Sequence, residues 1–326
     1  MFTSIWTTWA WWRASTCACS TGSWTTSTPA PSRPAATPED GAVDSSPAGR
    51  RIDLLGRGAT WAYDIAGPPG APTLLLLHGL AATAPLNWST SFAALARGFR
   101  VVALDHRGHG RGIRRIGAFK LEDCADDAAA LADGLGVERV IPVGYSMGGA
   151  VAQLFWRRHR DRTAGLVLCA TSSRFGGPRA KRAASTLGPL LSLAARVAPQ
   201  SMWDSMGERM LENVQDPGRR LALKEQLAPT EPASVIEAAA ALARFDSSDW
   251  LGDIDVPVGV VLTLRDEHIP AQYQAAMAEA IPGAEVHRVD ADHYACVAKP
   301  RLFVPALIAA CRSVALRGVP VRAVAP

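Results

Sequence analysis

The feature that most constrains this chain is a series of short apolar runs that alternate with segments of helical periodicity. Uninterrupted apolar runs of this length are typical of strands that are buried on both faces, as in parallel sheets. The alternation predicts an α/β fold with a mostly parallel, doubly wound sheet that helices cover on both faces. The predicted strands are Ile52–Leu55, Thr60–Ile65, Thr73–Leu77, Arg100–Leu104, Val140–Val143, Leu166–Ala170, Val256–Leu264 and Val286–Val289. The predicted helices are 121–135, 149–159, 271–281 and 302–315.

One long stretch between the sixth and seventh predicted strands breaks this alternation. It has helical patterning without a convincing strand, and structureless loops of such length are rare in compact domains. We therefore predict an insertion of short helices at 175–245, set into a core made of 51–174 and 246–318. The prolines expected to interrupt its helices are Pro189, Pro199, Pro217, Pro229 and Pro232.

The two ends of the chain differ from this core. Ser, Thr and Pro dominate from Ser15 to Pro47, and the tryptophan-rich start is interrupted by polar residues and followed by Arg13. This arrangement does not match a signal peptide, and its apolar part is too short to cross a membrane. We expect 1–50 to be a disordered or adventitious tail, with peripheral membrane contact through the tryptophans as the lesser alternative. Residues 319–326 are expected to form a short C-terminal tail.

Charge and cysteine content exclude several classes of protein. The net charge is only +4 and no long run of like charges occurs, which argues against a nucleic-acid-binding protein. The six cysteines show no paired spacing for a disulfide framework and no nearby histidine pattern for a metal site. We therefore expect no metal and a reducing, cytoplasmic location. The sequence leaves the oligomeric state open.

A serine within a glycine-rich turn marks the candidate nucleophile. The run Gly144-Tyr145-Ser146-Met147-Gly148 follows a buried strand and opens a helix, which is the strand–turn–helix setting of a nucleophile elbow. Glycines leave room for the tight bend, and the start of a helix favours developing negative charge. The alternative is an inert serine in a glycine-rich turn. The context favours Ser146 as a catalytic nucleophile.

A serine hydroxyl needs a general base, and the base needs a carboxylate to orient it. His293 follows the last predicted strand, and Asp266 follows the strand before it. Because the carboxyl ends of parallel strands meet at one edge of the sheet, we expect both side chains near Ser146. We predict His293 as the base and Asp266 as the acid. The alternatives to Asp266 are three neighbouring carboxylates. Glu267 would point elsewhere on the turn, and Asp290 and Asp292 are so near His293 in sequence that they seldom point back at its imidazole.

Taken together, these residues resemble the α/β-hydrolase superfamily, over roughly residues 51–315. The order Ser146, Asp266, His293 is that superfamily's order of nucleophile, acid and base. The blocks that carry the resemblance are Leu77-His78-Gly79-Leu80, Asp105-His106-Arg107-Gly108-His109-Gly110, Gly144-Tyr145-Ser146-Met147-Gly148-Gly149, and Arg265-Asp266-Glu267-His268-Ile269-Pro270 with His293.

The resemblance implies roles for further residues. The backbone N–H groups of Leu80 and Met147 would form the oxyanion hole, while the block that begins at Asp105 would serve as a structural turn. The insertion at 175–245 occupies the place of the superfamily's helical cap, which would cover the serine and select substrates. Five of its apolar residues would either line a pocket or form the packing of the cap itself: Met202, Trp203, Met206, Met210 and Leu211.

The function that these features predict is hydrolysis of a small or medium carboxylic ester or lactone through an acyl-enzyme, without a metal or organic cofactor. The same machinery serves carbon–carbon bond hydrolases, amidases, perhydrolases and acyltransferases, and the sequence does not separate them. A non-catalytic binding protein that retains the fold is a further alternative. The expected partner is a small ester-like molecule.

Overall fold

The computed structural model describes residues 47–114, 118–196, 208 and 217–318. The strands are β1 Arg50–Leu54, β2 Gly58–Ile65, β3 Thr73–Leu77, β4 Arg100–Leu104, β5 Ile141–Tyr145, β6 Leu166–Cys169, β7 Val258–Thr263 and β8 Glu285–Val289. The α-helices are α1 Ala84–Ala96, α2 Leu121–Gly134, α3 Met147–Arg158, α4 Pro178–Arg196, α5 Pro217–Leu227, α6 Pro232–Arg244, α7 Ala271–Ala280, α8 Ala295–Ala298 and α9 Pro300–Gly318.

The eight strands of the described residues form one sheet in the order β1-β2-β4-β3-β5-β6-β7-β8. The first two pairings, β1 with β2 and β2 with β4, are antiparallel, and the remaining five are parallel. The predicted α/β class with a mostly parallel sheet is confirmed. The predicted seventh strand is too long by two residues at its start and one at its end. Helix α1 was not predicted from the sequence.

The central strands are buried on both faces, which explains their unbroken apolar runs. Successive side chains of a strand point to opposite faces. In β3, Leu75 and Leu77 pack into one apolar cluster with α2 and α3, whereas Leu74 and Leu76 pack into a second cluster with α1 and α9. Burial of each such leucine stabilises the fold by about 1.5–3 kcal/mol. Helices on both faces thus hold the sheet rigid beneath its carboxyl edge.

Among the described residues of the stretch between β6 and β7, where the sequence predicts an insertion, the structure has the three α-helices α4 to α6. The expectation that Pro189 interrupts a helix is wrong, because α4 continues from Pro178 to Arg196. Packing of α4 against α6 offsets the hydrogen bond that a proline removes from a helix. Pro217 and Pro232 instead begin helices, where a missing N–H costs little.

Several predictions fall on residues that the structure does not describe. These include most of the N-terminal tail, residues 319–326, and the candidate pocket residues Met202, Trp203, Met206, Met210 and Leu211. The domain boundaries and the cytoplasmic location also stay predictions. Within the described ranges no helix is long and apolar enough to cross a membrane. The four cysteines described there, Cys124, Cys169, Cys296 and Cys311, are buried free thiols.

Candidate active site

Ser146 lies in the sharp turn between β5 and α3. Its backbone adopts φ 54° and ψ −117°, a region that residues with a side chain rarely enter and that costs on the order of 1–3 kcal/mol. Close packing of the flanking glycines imposes this turn. A Cβ on Gly144 would collide with the carbonyl oxygen of Gly148, and one on Gly148 would collide with the carbonyl oxygen of Leu77.

Hydrogen bonds from β6 and the loop after it hold the backbone of this turn. The N–H of Ser146 donates to the carbonyl of Cys169 at 2.9 Å. The hydroxyl of Thr171 donates to the carbonyl of Ser146 at 2.8 Å. The strained backbone of Ser146 is therefore fixed on both sides, and its side chain is held at the carboxyl edge of the sheet.

The structure brings Ser146, His293 and Asp266 into one hydrogen-bonded chain. Nε2 of His293 lies 3.0 Å from Oγ of Ser146, and Nδ1 lies 2.7 Å from Oδ2 of Asp266. An ionised carboxylate only accepts hydrogen bonds, so the proton of the neutral imidazole belongs on Nδ1. Nε2 then carries a lone pair and accepts the hydroxyl proton of Ser146. This is the tautomer that a general base requires.

The carboxylate of Asp266 is surrounded by donors. Oδ1 accepts from the backbone N–H groups of His268 and Ile269 at 2.9 and 2.8 Å. Oδ2 accepts from the hydroxyl of Thr263 at 2.8 Å as well as from His293. Burial pushes the pKa of Asp266 upward, but the hydrogen bond and charge of His293, with bonds from Ile269 and Thr263, leave it below its ordinary value. Asp266 therefore stays ionised.

Residues around His293 that the sequence analysis did not assign also hold it in place. The hydroxyl of Tyr145 donates to the backbone carbonyl of His293 at 2.7 Å. The ring of His268 stacks on that of His293, with centroids 4.9 Å apart and planes inclined by 25°. Tyr145 and His268 belong to two of the sequence blocks that carry the family resemblance, but a sequence block gives no information on contacts between distant residues.

The N–H groups of Leu80 and Met147, expected to form the oxyanion hole, have no acceptor within the described part of the chain. Met147 is the first residue of α3, directly after Ser146. Leu80 follows Gly79, where a Cβ would lie 3.3 Å from Cβ of Ser146. The loop of Leu80 therefore runs directly beside the serine.

Asn87 on α1 holds this loop and was not singled out from the sequence. Its Oδ1 accepts the N–H of Gly79 at 2.6 Å. Its Nδ2 lies 3.5 Å from Sγ of Cys296, in the segment that follows His293. Asn87 therefore ties the loop beside the serine to the loop that carries the imidazole.

The block that begins at Asp105 makes the structural hydrogen bonds that the resemblance implies. Oδ1 of Asp105 accepts the N–H of Ala84 at 2.9 Å, at the start of α1. The guanidinium of Arg107 binds Asp127 of α2 through two nitrogens, both at 2.7 Å. Neither side chain has a hydrogen bond to the chain of Ser146, His293 and Asp266 within the described residues.

No group of three or more His, Cys, Asp or Glu side chains is arranged to hold a metal ion among the residues that the structure describes. The imidazole of His293 and the carboxylate of Asp266 bond to each other at 2.7 Å. The expectation of a reaction without metal or organic cofactor stays a prediction.

Comparison with known proteins identifies the class of this enzyme. The family model described as "alpha/beta hydrolase fold" matches residues 72–300. The chain therefore belongs to the α/β-hydrolase family, and it is an enzyme of that family, as the sequence analysis predicted.

Individual relatives cover most of the chain. A putative non-heme haloperoxidase of Mycobacterium phage D29 is 30% identical over 243 residues, which span 72% of this chain and 84% of the phage protein. A putative carbamate hydrolase of Caulobacter segnis is 29% identical over 257 residues, spanning 76% of this chain and 94% of that protein. The structure of a thermophilic esterase from Thermogutta terrifontis is similar at a TM-score of 0.68 and 29% identity, covering 82% of this chain and 99% of the esterase.

Proposed function

We propose that this enzyme hydrolyses a small or medium carboxylic ester or lactone through an acyl-enzyme formed on Ser146. The observation that carries the proposal is the continuous hydrogen-bonded chain from Ser146 Oγ through the ring of His293 to Asp266. A strained serine, an imidazole with a free lone pair and an ionised carboxylate together make the hydroxyl nucleophilic. Inert serines in strand–helix turns do not need such partners.

The proposed reaction begins when Oγ of Ser146 attacks the ester carbonyl while His293 Nε2 takes the hydroxyl proton. The charge of Asp266 stabilises the imidazolium that forms. The N–H groups of Leu80 and Met147 stabilise the negative oxygen of the tetrahedral intermediate. Collapse of this intermediate expels the alcohol, which receives the proton from His293. A water molecule then attacks the acyl-enzyme while His293 takes its proton. Collapse of the second tetrahedral intermediate releases the acid, and His293 returns the proton to Oγ of Ser146.

The inserted helices support the assignment of residues 175–245 as a cap over this site. Leu223 of α5 is buried against Ala82 and Leu86, which follow the loop of Leu80. A helix packed on the segment that follows the loop of Leu80 would limit the size of the acyl or alcohol group and exclude water from the acyl-enzyme. We therefore expect a preference for short to medium acyl chains.

Carbamate hydrolysis is the second candidate. The Caulobacter segnis relative named a putative carbamate hydrolase is matched over 94% of its length. Attack of Ser146 on a carbamate carbonyl would use the same base and the same oxyanion donors, because only the leaving group and the acyl substituent differ.

A panel of p-nitrophenyl esters of increasing chain length, γ- and δ-lactones and simple carbamates tests these proposals. We expect the highest kcat/KM on short to medium esters or lactones, and a loss of at least about 10⁴-fold in Ser146→Ala. Ser173→Ala removes a hydroxyl outside the hydrogen-bonded chain and should leave kcat/KM within about twofold.

Each contrary outcome has a distinct meaning. Activity that persists in Ser146→Ala would refute the nucleophile. A kcat/KM for carbamates above that for every ester and lactone would favour the second candidate.

A further inference from the structure

His78 forms a hydrogen bond to the same peptide unit that supplies one of the proposed oxyanion donors. Its Nδ1 lies 2.8 Å from the carbonyl oxygen of Gly79. That carbonyl and the N–H of Leu80 belong to one planar trans peptide, so they point in opposite directions. Any contact that fixes the carbonyl of Gly79 therefore also fixes the direction of the Leu80 N–H.

The backbone of His106 sets the direction of this hydrogen bond. The N–H of His106 lies 2.9 Å from Nε2 of His78. A backbone N–H can only donate, so Nε2 is the acceptor and carries no proton. In the neutral ring the proton is then on Nδ1, which donates to Gly79. Donation into an amide carbonyl polarises the amide and strengthens its own N–H as a donor.

The ring of His78 has little freedom to leave this position. It is completely buried, with the ring centroids of His106 and His109 at 4.4 and 5.5 Å. Burial, with the neighbouring His106 and His109, lowers the pKa of His78 well below its ordinary value. The ring is therefore neutral at physiological pH, and both of its hydrogen bonds persist.

We infer that His78 is a positioning residue that aims the N–H of Leu80 at the oxyanion. The inference rests on the proposed function, because it concerns the donor that would stabilise the tetrahedral intermediate. His78 binds the carbonyl of Gly79, whereas Asn87 on α1 accepts the N–H of Gly79. Together they fix both polar groups of the backbone of Gly79.

Two variants separate a role in aiming the peptide from a role in packing. In His78→Asn the amide nitrogen takes the place of Nδ1, so the donor to Gly79 is kept while the acceptor for His106 is lost. In His78→Gln the amide oxygen takes the place of Nε2, so the acceptor is kept while the donor is lost. His78→Asn leaves the N–H of His106 without its acceptor, whereas His78→Gln leaves the carbonyl of Gly79 with only the longer bond from the N–H of Ala82 at 3.3 Å. Both variants should lower the melting temperature.

The two variants should differ in turnover. We expect kcat on the best ester of the panel to fall by about 10- to 100-fold in His78→Gln, with KM changed by less than threefold, because the loss is confined to the transition state. His78→Asn should keep a kcat at least tenfold above that of His78→Gln. A tetrahedral boronic acid inhibitor should lose affinity for His78→Gln in parallel with kcat.

Labelling by a fluorophosphonate, measured on wild type and both variants, separates the possible failures. Equal kcat in the two variants, with Ser146 labelled in all three proteins, would overturn the role of His78 alone. A wild-type enzyme in which Ser146 does not react would overturn the proposed function, and the inference with it.

A measurement on the wild type keeps the inference testable if neither variant folds. With ¹⁵N-labelled histidine, the ring nitrogens of His78 should show a neutral ring protonated at Nδ1 throughout pH 5 to 8. A ring protonated at Nε2, or one that titrates in this range, would overturn the inference.

Discussion

Among single residues, Asp266 has a carboxylate whose two oxygens are both held by hydrogen bonds. Its two oxygens accept from two backbone N–H groups, from Thr263 and from His293. Such a carboxylate cannot rotate, so it can hold the imidazole in one orientation. An amide at this position has one oxygen and one nitrogen, and the nitrogen must face either the backbone donors or the ring.

Asp266→Asn should therefore lower kcat by about 10³- to 10⁴-fold. An amide nitrogen that faces Nδ1 of His293 makes that atom an acceptor and shifts the ring proton to Nε2. A protonated Nε2 can no longer take the proton of Ser146. Steady-state kinetics on the best ester measures the loss. The matched control is Asp290→Asn, whose exposed carboxylate pairs with Arg265 at 2.8 Å and should keep kcat within about twofold. Equal losses in the two variants would contradict the role of Asp266.

At the scale of elements, the junction of β5 with α3 decides where the serine lies. The helix can start this close to the sheet only because Gly148 presents no side chain to the backbone of β3. The end of α2 carries no such restriction. At Gly134, in the last turn of α2, an added Cβ would meet nothing within 4 Å.

Two glycine-to-alanine substitutions test this contrast. Gly148→Ala should lower the free energy of unfolding by about 1–3 kcal/mol, because the carbonyl of Leu77 belongs to the backbone of β3 and cannot move aside easily. It should also lower kcat through displacement of Ser146. Gly134→Ala should raise the free energy of unfolding by about 0.5–1 kcal/mol, since alanine loses less backbone entropy in a helix. Urea unfolding measures both, and a stable, active Gly148→Ala would contradict this account of the elbow.

The strands could be predicted from the sequence and α1 could not, because both predictions depend on how clearly the buried side chains are apolar. Strands buried on both faces appear as apolar runs, but the packed face of α1 includes Asn87 and Ser91, which disguise its helical pattern. The helix start was signalled by Thr83, whose hydroxyl accepts the N–H of Leu86 at 3.3 Å, and by the proline that follows.

The proximity of Ser146, Asp266 and His293 could be predicted because all three follow parallel strands at one edge of the sheet. The partners of Gly79 could not be predicted. They depend on the packing of Asn87 and His78, and no local sequence pattern records such contacts.

At the scale of the whole molecule, the site rests on a buried layer of ionisable groups. His78, His106 and His109 are almost fully buried beneath the loop of Leu80, and Asp105 lies beside them. Burial lowers the pKa of His106 to about 3 and that of His109 to about 4. Burial also raises the pKa of Asp105 to about 6, although hydrogen bonds from two backbone N–H groups oppose this.

These shifts predict that the fold loses stability in weak acid. A histidine whose folded pKa is depressed binds more protons when unfolded, so stability falls as pH drops below the unfolded pKa of about 6.5. Asp105 opposes this between about pH 6 and 4, because its folded pKa is raised. Because three histidines with lowered pKa values oppose one carboxylate with a raised pKa, the net effect is a loss of stability as the pH falls toward 5.

Urea unfolding at pH 7.5, 6 and 5 measures this loss. The midpoint concentration of urea should fall with pH, and His109→Phe, which removes one of the three groups, should make the fall less steep. A midpoint that is independent of pH in the wild type would contradict the neutral, buried state of these rings.

In the proposed reaction, Ser146 carries the acyl group during turnover. Rapid mixing of the enzyme with a p-nitrophenyl ester, an acid quench within milliseconds and mass spectrometry of the digested protein test it most directly. We expect the mass of one acyl group on the peptide that contains Ser146 in wild type, and none in Ser146→Ala. Hydrolysis without any acylated peptide, or with the acyl group on another residue, would contradict it.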